Sequence, residues 1–139
     1  MKILFVCKYN RFRSKVAEAI FNSLNKNKEI KAESAGMTVD VIRPYIEPMV
    51  LDIVNKKGYA MKDSRSRQLT RELIEKGNFD LIIISANNVE PEFFYKIDKK
   101  IKVIQWPVKD CSSLDEECII NSVNEIESNV KKLVKELKS

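Results

Sequence analysis

The chain has 139 residues, 44% hydrophobic and 32% charged, with a formal net charge of +5. That profile fits one soluble globular domain, residues 1–139, able to bury a core without staples, and no apolar run approaches the roughly 20 residues of a membrane span. Histidine is absent, which excludes Ser-His-Asp and Cys-His nucleophile activation, phosphohistidine chemistry and most zinc hydrolase sites.

The first apolar run, Ile3 to Val6, is continuous, as expected for a strand covered on both faces. It is too short for a signal-peptide core and ends at Cys7 without a small-residue cleavage site. Val16, Ala17, Ile20 and Leu24 then recur at helical spacing after Ser14. Ile30 to Ser34 is a weaker second strand. Ile46, Met49, Val50, Ile53 and Val54 form a helical stripe after Pro44, and Gly58 is placed to stop it. Leu69, Leu73 and Ile74 suggest a short helix ending near Gly77. Leu81 to Ile84 reads as a third strand, Phe93, Phe94 and Ile97 after Pro91 as another helix, and Ile101 to Ile104 as a fourth strand. The stripe Ile119, Val123, Ile126, Val130, Leu133, Val134 and Leu137 is a long amphipathic helix covering the core.

Apolar strands alternating with helices predict an α/β fold, a four-stranded parallel sheet with helices on both faces in three layers. Ligands of open parallel sheets bind beyond the C-terminal strand ends. Two loops fall there, one opening at Cys7 and one after Ile104.

The first loop reads Cys7-Lys8-Tyr9-Asn10-Arg11-Phe12-Arg13-Ser14 and runs directly into a helix. A tight loop can turn successive backbone N–H groups inward as an anion nest. The helix N-terminus adds unpaired donors and a positive dipole end. Arg13, at Cys-x5-Arg spacing, can clamp two oxygens of a tetrahedral oxyanion through its planar fork. The same surroundings favour the thiolate of Cys7, which is itself the nucleophile, so no base is needed; Ser14 can donate a hydrogen bond to it. All of residues 8–14, that is Lys8, Tyr9, Asn10, Arg11, Phe12, Arg13 and Ser14, are therefore candidate phosphate-binding positions. Phosphoryl transfer also needs an acid for the leaving oxygen. Asp110, in Trp106-Pro107-Val108-Lys109-Asp110, would project from the same sheet edge as Cys7.

Taken together these residues resemble the low-molecular-weight protein tyrosine phosphatase family. Val6-Cys7, Asn10 and Arg13-Ser14 match its loop, Glu33-Ser34-Ala35-Gly36 its Ser-Ala-Gly segment, and Ser66-Arg67-Gln68-Leu69-Thr70 its Ala-Arg-Gln segment. Asp80 to Ile84 resembles its third strand, and Asp110 falls where its general acid stands. The resemblance implies a flavodoxin- or Rossmann-like fold and a two-step reaction without cofactor or metal. Cys7 attacks phosphorus and becomes a phosphocysteine; Asp110 protonates the leaving oxygen and then helps water hydrolyse the intermediate. Asn10 would hold the loop in its unusual backbone shape. Substrates would be a phosphorylated protein or a small phosphate ester, and phosphate or related oxyanions would bind.

The chain departs from the family at three places. Tyr9 replaces a glycine, which raises the prospect of a strained or reshaped loop. Phe12 replaces a second loop cysteine. Asp110-Cys111-Ser112-Ser113 replaces proline and tyrosines that pack on an aromatic substrate, while Lys8 and Arg11 add cations at the mouth, favouring small or more anionic phosphates.

Three cysteines, Cys7, Cys111 and Cys118, make a poor disulfide framework and no zinc spacing, so a reducing compartment and a cytoplasmic location are expected. The basic residues are dispersed among acidic ones, so neither nucleic acid nor membrane is an expected partner. Arsenate reductases coupled to thioredoxin share the fold and loop, and Cys111 and Cys118 supply two thiols for a disulfide relay, although that relay usually follows the third strand, here Ser85-Ala86-Asn87-Asn88. Cys111 is also placed to trap Cys7 as a reversible disulfide, whereas Cys118 lies on the helix stripe as a buried structural thiol. A phosphate- or phosphopeptide-binding module and a sugar-phosphotransferase component are the remaining readings; Cys7 and Asp110 together weigh against the first, Arg13-Ser14 against the second. Arg65, Arg67 and Arg71 read as a solvated helix start, and Trp106 as a core or loop anchor.

Overall fold

The computed structural model describes residues 1–138. Its frame is a four-stranded sheet of order β2-β1-β3-β4: β1 (Lys2–Cys7), β2 (Lys31–Gly36), β3 (Leu81–Ile84) and β4 (Lys102–Gln105). All three pairings are parallel, with Val6 opposite both Ala35 and Ile84. β1 and β3 are buried along nearly their whole length, which is why they read as unbroken apolar runs.

Helices cover both faces. Alternate β1 side chains, Ile3 and Phe5, pack with Val16, Ala17, Ile20 and Phe21 of α1 (Arg13–Leu24), Val50 and Val54 of α2 (Pro48–Lys56) and the stripe of α5 (Glu116–Leu137). Leu4 and Val6 face the other way, toward Ile74 of α3 (Arg71–Lys76) and Phe94 of α4 (Glu92–Ile97). The chain leaves β1 for β2 on one side and returns past it to β3, so the β1–β3 gap is where the strand order reverses. The loops after these strands open there, the place where doubly wound sheets hold ligands.

Several expected boundaries move. β2 runs to Gly36 rather than ending at Ser34, and β4 is displaced by one residue at each end. α2 starts at Pro48, not near Pro44, because Pro48 takes the first helical position, where its missing N–H costs nothing. The segment before it is pinned instead by a Tyr45–Arg65 bridge. Gly58 lies one residue past the helix cap with φ +96°, a left-handed conformation suited to glycine. Of the three arginines expected at a helix start, only Arg71 opens α3, where it pairs with Glu75. Arg67 pairs with Glu33 at the sheet edge, and Arg65 stacks on Tyr45. Trp106 packs its ring 5.9 Å from Phe5 as an anchor.

Cys111 and Cys118 are joined by a disulfide across the start of α5, leaving Cys7 as the free thiol. This corrects the expectation of unpaired thiols. The turn before α5 brings the two Cα atoms to 5.8 Å, within disulfide reach. Cys118 is half-buried and bonded, not an inert thiol on the helix stripe. Among the described residues no helix is long and apolar enough to cross a membrane.

Candidate active site

Cys7 is the last residue of β1, and the loop 8–12 carries the chain over the sheet edge into α1. The loop is held from below by β2. Met37 N–H donates to the Cys7 carbonyl and Thr38 N–H to that of Lys8, at 3.0 and 2.8 Å. Gly36 sits directly beneath: a Cβ there would lie 2.7 Å from both Asn10 N and the Tyr9 carbonyl carbon. Only a residue without a side chain lets the two backbones lie this close.

Asn10 makes the turn. Its φ of +56° is left-handed, and Tyr9 is not among the residues with positive φ. The strain anticipated at Tyr9 is therefore absent there; the left-handed position falls one residue later, on a type that tolerates it. Asn10 is fully buried and every polar atom of its side chain is engaged. Its Oδ1 accepts from Arg67 N–H at 2.9 Å, which fixes the amide orientation. Its Nδ2 then donates to Ser14 Oγ at 2.7 Å and to Ser34 Oγ at 3.0 Å. The Ser34 hydroxyl in turn donates to Glu18 Oε1 at 2.6 Å. Because Ser14 Oγ accepts from Asn10, its proton is free for Cys7 Sγ, 2.9 Å away. Asn10 N–H is the second donor to that sulfur, at 3.3 Å. Asn10 is thus the branch point: one arm runs from its amide through the Ser14 hydroxyl to Cys7 Sγ, and the other runs away from the sulfur, through the Ser34 hydroxyl to the Glu18 carboxylate.

Arg13, first residue of α1, is 1% exposed. One terminal nitrogen donates to the Val108 carbonyl at 2.9 Å and the other to Asn88 Oδ1 at 3.1 Å. The second also stands 3.6 Å from Asp110 Oδ2. Asp110 is placed where the sequence suggested, on the loop after β4, and its Oδ1 accepts Cys111 N–H at 2.9 Å. Asn88, Glu18 and Glu47 were not foreseen. Arg11 lines the same pocket as Cys7, but its charge is taken up there: it forms a half-buried ion pair with Glu47 and donates through Nε to the Tyr45 carbonyl at 2.8 Å. It is thus a wall of the site rather than an added cation at the mouth, which corrects the expectation for that residue. Lys8 reaches over the Tyr9 ring at 5.6 Å, Tyr9 is 40% exposed, and Phe12 is buried beneath the loop.

These groups enclose a pocket of about 180 Å³ lined by Cys7, Tyr9, Arg13, Glu47, Asp110 and Cys111 among others. The scale suits a phosphoryl group and the first atoms of its carrier. Around it, ionisable groups are tuned by their settings. Burial holds the Lys15 ammonium below its ordinary range, against the opposing charge of Glu18. Burial raises the Glu33 carboxyl, but hydrogen bonds from Arg67 and Lys2 outweigh it and hold it low. Backbone N–H groups of Arg43 and Ile42 hold the Asp40 carboxyl below the usual carboxylate range.

A cysteine at the end of the first strand, an arginine opening the next helix, and a carboxylate beside that arginine form the constellation of one enzyme family. The profile of the low molecular weight phosphotyrosine protein phosphatases matches residues 2–139. The chain belongs to this family. Among solved structures it is similar to an arsenate reductase from Archaeoglobus fulgidus, at 30% identity and TM-score 0.73 over 96% of this chain and 98% of that one. It is also similar to a YwlE mutant from Bacillus subtilis, at 25% identity and TM-score 0.80 over 100% and 99%. The fold is shared with a low molecular weight protein tyrosine phosphatase from T. tengcongensis, at 24% identity and TM-score 0.80 over 98% and 99%. No curated protein matches the chain in sequence. Membership makes this chain an enzyme of the phosphatase type, and the expected architecture, a parallel four-stranded sheet between helices, is the one the family's structures share.

Proposed function

We propose that the protein is a cysteine-dependent phosphatase that hydrolyses phosphate monoesters, on a phosphorylated protein or a small ester, through a phosphocysteine. The observation that carries this reading is the convergence on Cys7 Sγ of two donors, Ser14 Oγ and Asn10 N–H, in a pocket shared with Arg13 and Asp110. The donors hold the thiolate before attack and stabilise it again as leaving group. The Arg13 guanidinium is already oriented by Val108 and Asn88, so it meets the oxyanion without reorganisation. The first N–H groups of α1 and the loop 8–14 complete the cradle.

In the first half-reaction the sulfur attacks phosphorus in line, the bond to the leaving oxygen breaks, and Asp110 gives that oxygen its proton. Asp110 lies 3.6 Å from Arg13, close enough to reach a leaving atom of a phosphate held by the same guanidinium. In the second half-reaction the Asp110 carboxylate takes a proton from water as water displaces the sulfur. Nucleophile, clamp and acid are all side chains, so the step calls on no cofactor. The wild-type protein should hydrolyse para-nitrophenyl phosphate under reducing conditions without added metal, and Cys7→Ser should not. Wild-type protein that binds phosphate yet shows no turnover would defeat the proposal.

A second reading is favoured by one observation: Cys111 lines the Cys7 pocket and is paired with Cys118. In an arsenate reductase, Cys7 would bind arsenate through sulfur, and the Cys111 thiolate would attack that sulfur. As the Cys7–Cys111 disulfide forms, the bond between Cys7 sulfur and arsenic breaks and its electron pair stays with arsenic, which departs as arsenite. Cys118 would then displace Cys7, leaving the Cys111–Cys118 pair for an external dithiol to reduce. Arsenate-dependent oxidation of a dithiol, lost in Cys118→Ser, separates this from phosphatase action.

A further inference from the structure

The segment 109–114 carries Asp110 between two fixed points. Val108 before it is fully buried, its carbonyl accepting from Arg13 and from Asn87 N–H. Asp115 after it caps α5 and accepts Cys118 N–H at 3.1 Å. In between, Lys109, Ser112 and Leu114 are exposed. The bonds from Cys111 N–H to Asp110 Oδ1 and from Asp115 N–H to the Ser112 carbonyl are local and fix nothing to the core. Among the described residues, it is α5 that ties the segment to the body of the protein. Ser122 Oγ donates to the Lys109 carbonyl at 3.2 Å. Cys111 is bonded to Cys118, which brings Cys118 Sγ to 3.9 Å from the Asp110 carbonyl oxygen.

The Asp110–Arg13 pair is no substitute for that tether. Arg13 is held by Val108 and Asn88 independently of Asp110. The Asp110 side chain is 41% exposed and 3.6 Å from the guanidinium, a setting in which an ion pair contributes little. Its carboxylate is therefore held beside the clamp by the chain on either side, and one of those sides ends at the disulfide.

The two sulfurs face different cavities. Cys111 lines the Cys7 pocket, whereas Cys118 lines a second cavity of about 340 Å³ with Lys109, Asp115 and Ser122, which does not include Cys7. A thiolate entering the second cavity reaches the Cys118 sulfur without passing the nucleophile. It forms a mixed disulfide with Cys118 as the Cys111–Cys118 bond breaks, and Cys111 leaves with the electron pair as a thiolate. The second thiol of a dithiol then displaces Cys118. The dithiol gives up two electrons and ends as a disulfide, its two protons passing to Cys111 and Cys118. A disulfide oxidant runs the same steps in reverse.

We propose that the Cys111–Cys118 disulfide positions Asp110 beside the Arg13 clamp, so that exchange with a dithiol turns down acid assistance and leaves nucleophile and clamp in place. The inference rests on the phosphatase reading above, with Asp110 as its acid. Because the pair acts through Asp110, its signature is a dependence on the leaving group. Phenyl phosphate, with a poor leaving group, needs the acid; para-nitrophenyl phosphate needs it little.

The test compares kcat/KM for these two esters, a value set by the first half-reaction, in which the leaving oxygen departs. Both meet the same Cys7, so their ratio is blind to any fraction of nucleophile lost to oxidation. Wild type, Cys111→Ser/Cys118→Ser and Asp110→Asn are each assayed oxidised and after dithiothreitol. Reduction of the wild type should raise the ratio of para-nitrophenyl to phenyl phosphate about tenfold, part of the roughly 100- to 10,000-fold that a general acid supplies. The double variant should show the raised ratio throughout and Asp110→Asn a higher one, neither responding to dithiothreitol. If reduced wild type and the double variant keep the ratio of the oxidised protein and lose only Tm, the disulfide is a staple of the fold and the proposal is overturned. If Asp110→Asn leaves the ratio unchanged, or para-nitrophenyl phosphate is not hydrolysed, the acid or the phosphatase reading fails separately. Amide exchange by NMR then decides the tether. Cys111 N–H, which donates to Asp110 Oδ1, should exchange faster after reduction, and an unchanged rate overturns the positioning.

Discussion

Replacing Gly36 by alanine puts a methyl carbon 2.7 Å from Asn10 N, 2.7 Å from the Tyr9 carbonyl carbon and 2.9 Å from Asn10 Cβ. Ordinary contacts between such atoms are about 3.5–4.0 Å, so the two backbones must part by nearly 1 Å. Neither gives easily. Gly36 is in register with Cys7, donates to the Arg67 carbonyl and accepts from Leu69 N–H. Asn10 is tied by its amide to Ser14, Ser34 and Arg67. Overpacking of this kind costs about 1–3 kcal/mol, a fall in Tm of roughly 5–10 °C for a chain this size. The catalytic cost is larger, because the displaced atoms include the Asn10 N–H that faces Cys7 Sγ; a shift of about 1 Å in a reacting constellation costs on the order of 100-fold in rate. The assay is kcat/KM for para-nitrophenyl phosphate beside the inhibition constant of inorganic phosphate, with a thermal melt of each protein. Gly58→Ala is the control: its φ of +96° disfavours a side chain, yet nothing lies within 4 Å of the added carbon and the pocket does not include it. It should lose about 1 kcal/mol of stability and keep its activity. A Gly36→Ala protein with wild-type kcat/KM would refute the argument that β2 supports the loop.

Asn10→Ala should lower activity by two orders of magnitude or more, since it leaves Ser14 free to turn its proton from the sulfur and puts alanine at φ +56°; unfolding in urea should show a loss of about 2–4 kcal/mol. Cys111→Ser with Cys118→Ser should reduce the stability of the oxidised protein by about 2 kcal/mol, the value of closing so short a loop, and the difference should vanish when both proteins are melted with dithiothreitol. Glu127 on α5 receives hydrogen bonds from Tyr59 and Lys57. Burial raises its carboxyl, but these bonds outweigh burial and hold it below the usual range, while burial and then Glu127 push the Tyr59 hydroxyl up to about 12. A carboxyl held low in the fold stabilises above its unfolded value and loses that contribution as pH falls through its folded one. Glu127→Gln should therefore cost on the order of 1 kcal/mol at neutral pH, and the gap in urea midpoints should close toward pH 3.

The strands and the long last helix were legible because their burial writes itself into sequence: β1 and β3 are covered on both faces, and α5 presents one apolar stripe. Cys7, Arg13 and Ser14 were legible because one tight loop holds them at fixed spacing. Asp110 followed from topology alone, since parallel strands place every strand end on one edge. The supporting residues were not legible. Asn88 meets Arg13 across 75 positions and Glu47 meets Arg11 across 36, and nothing local marks either pairing. Glu18 shows only as a polar residue on α1 until Ser34 is seen bonded to it. Arg11 misled for the same reason: its charge was counted at the mouth, but a carboxylate on a distant segment absorbs it. The Cys111–Cys118 pair depends on the turn before α5, and a cysteine count carries no information about that turn.

The phosphocysteine is the centre of this account, and it can be trapped. Asp110→Asn keeps the nucleophile and the clamp but removes the group that activates water. Mixed with para-nitrophenyl phosphate, whose leaving group needs little acid assistance, and quenched in acid during turnover, this variant should carry a phosphoryl group on the peptide containing Cys7 by mass spectrometry. The Cys7→Ala form should carry none. Steady turnover by Asp110→Asn with no phosphoryl adduct at Cys7, or with the adduct on another residue, would contradict the mechanism.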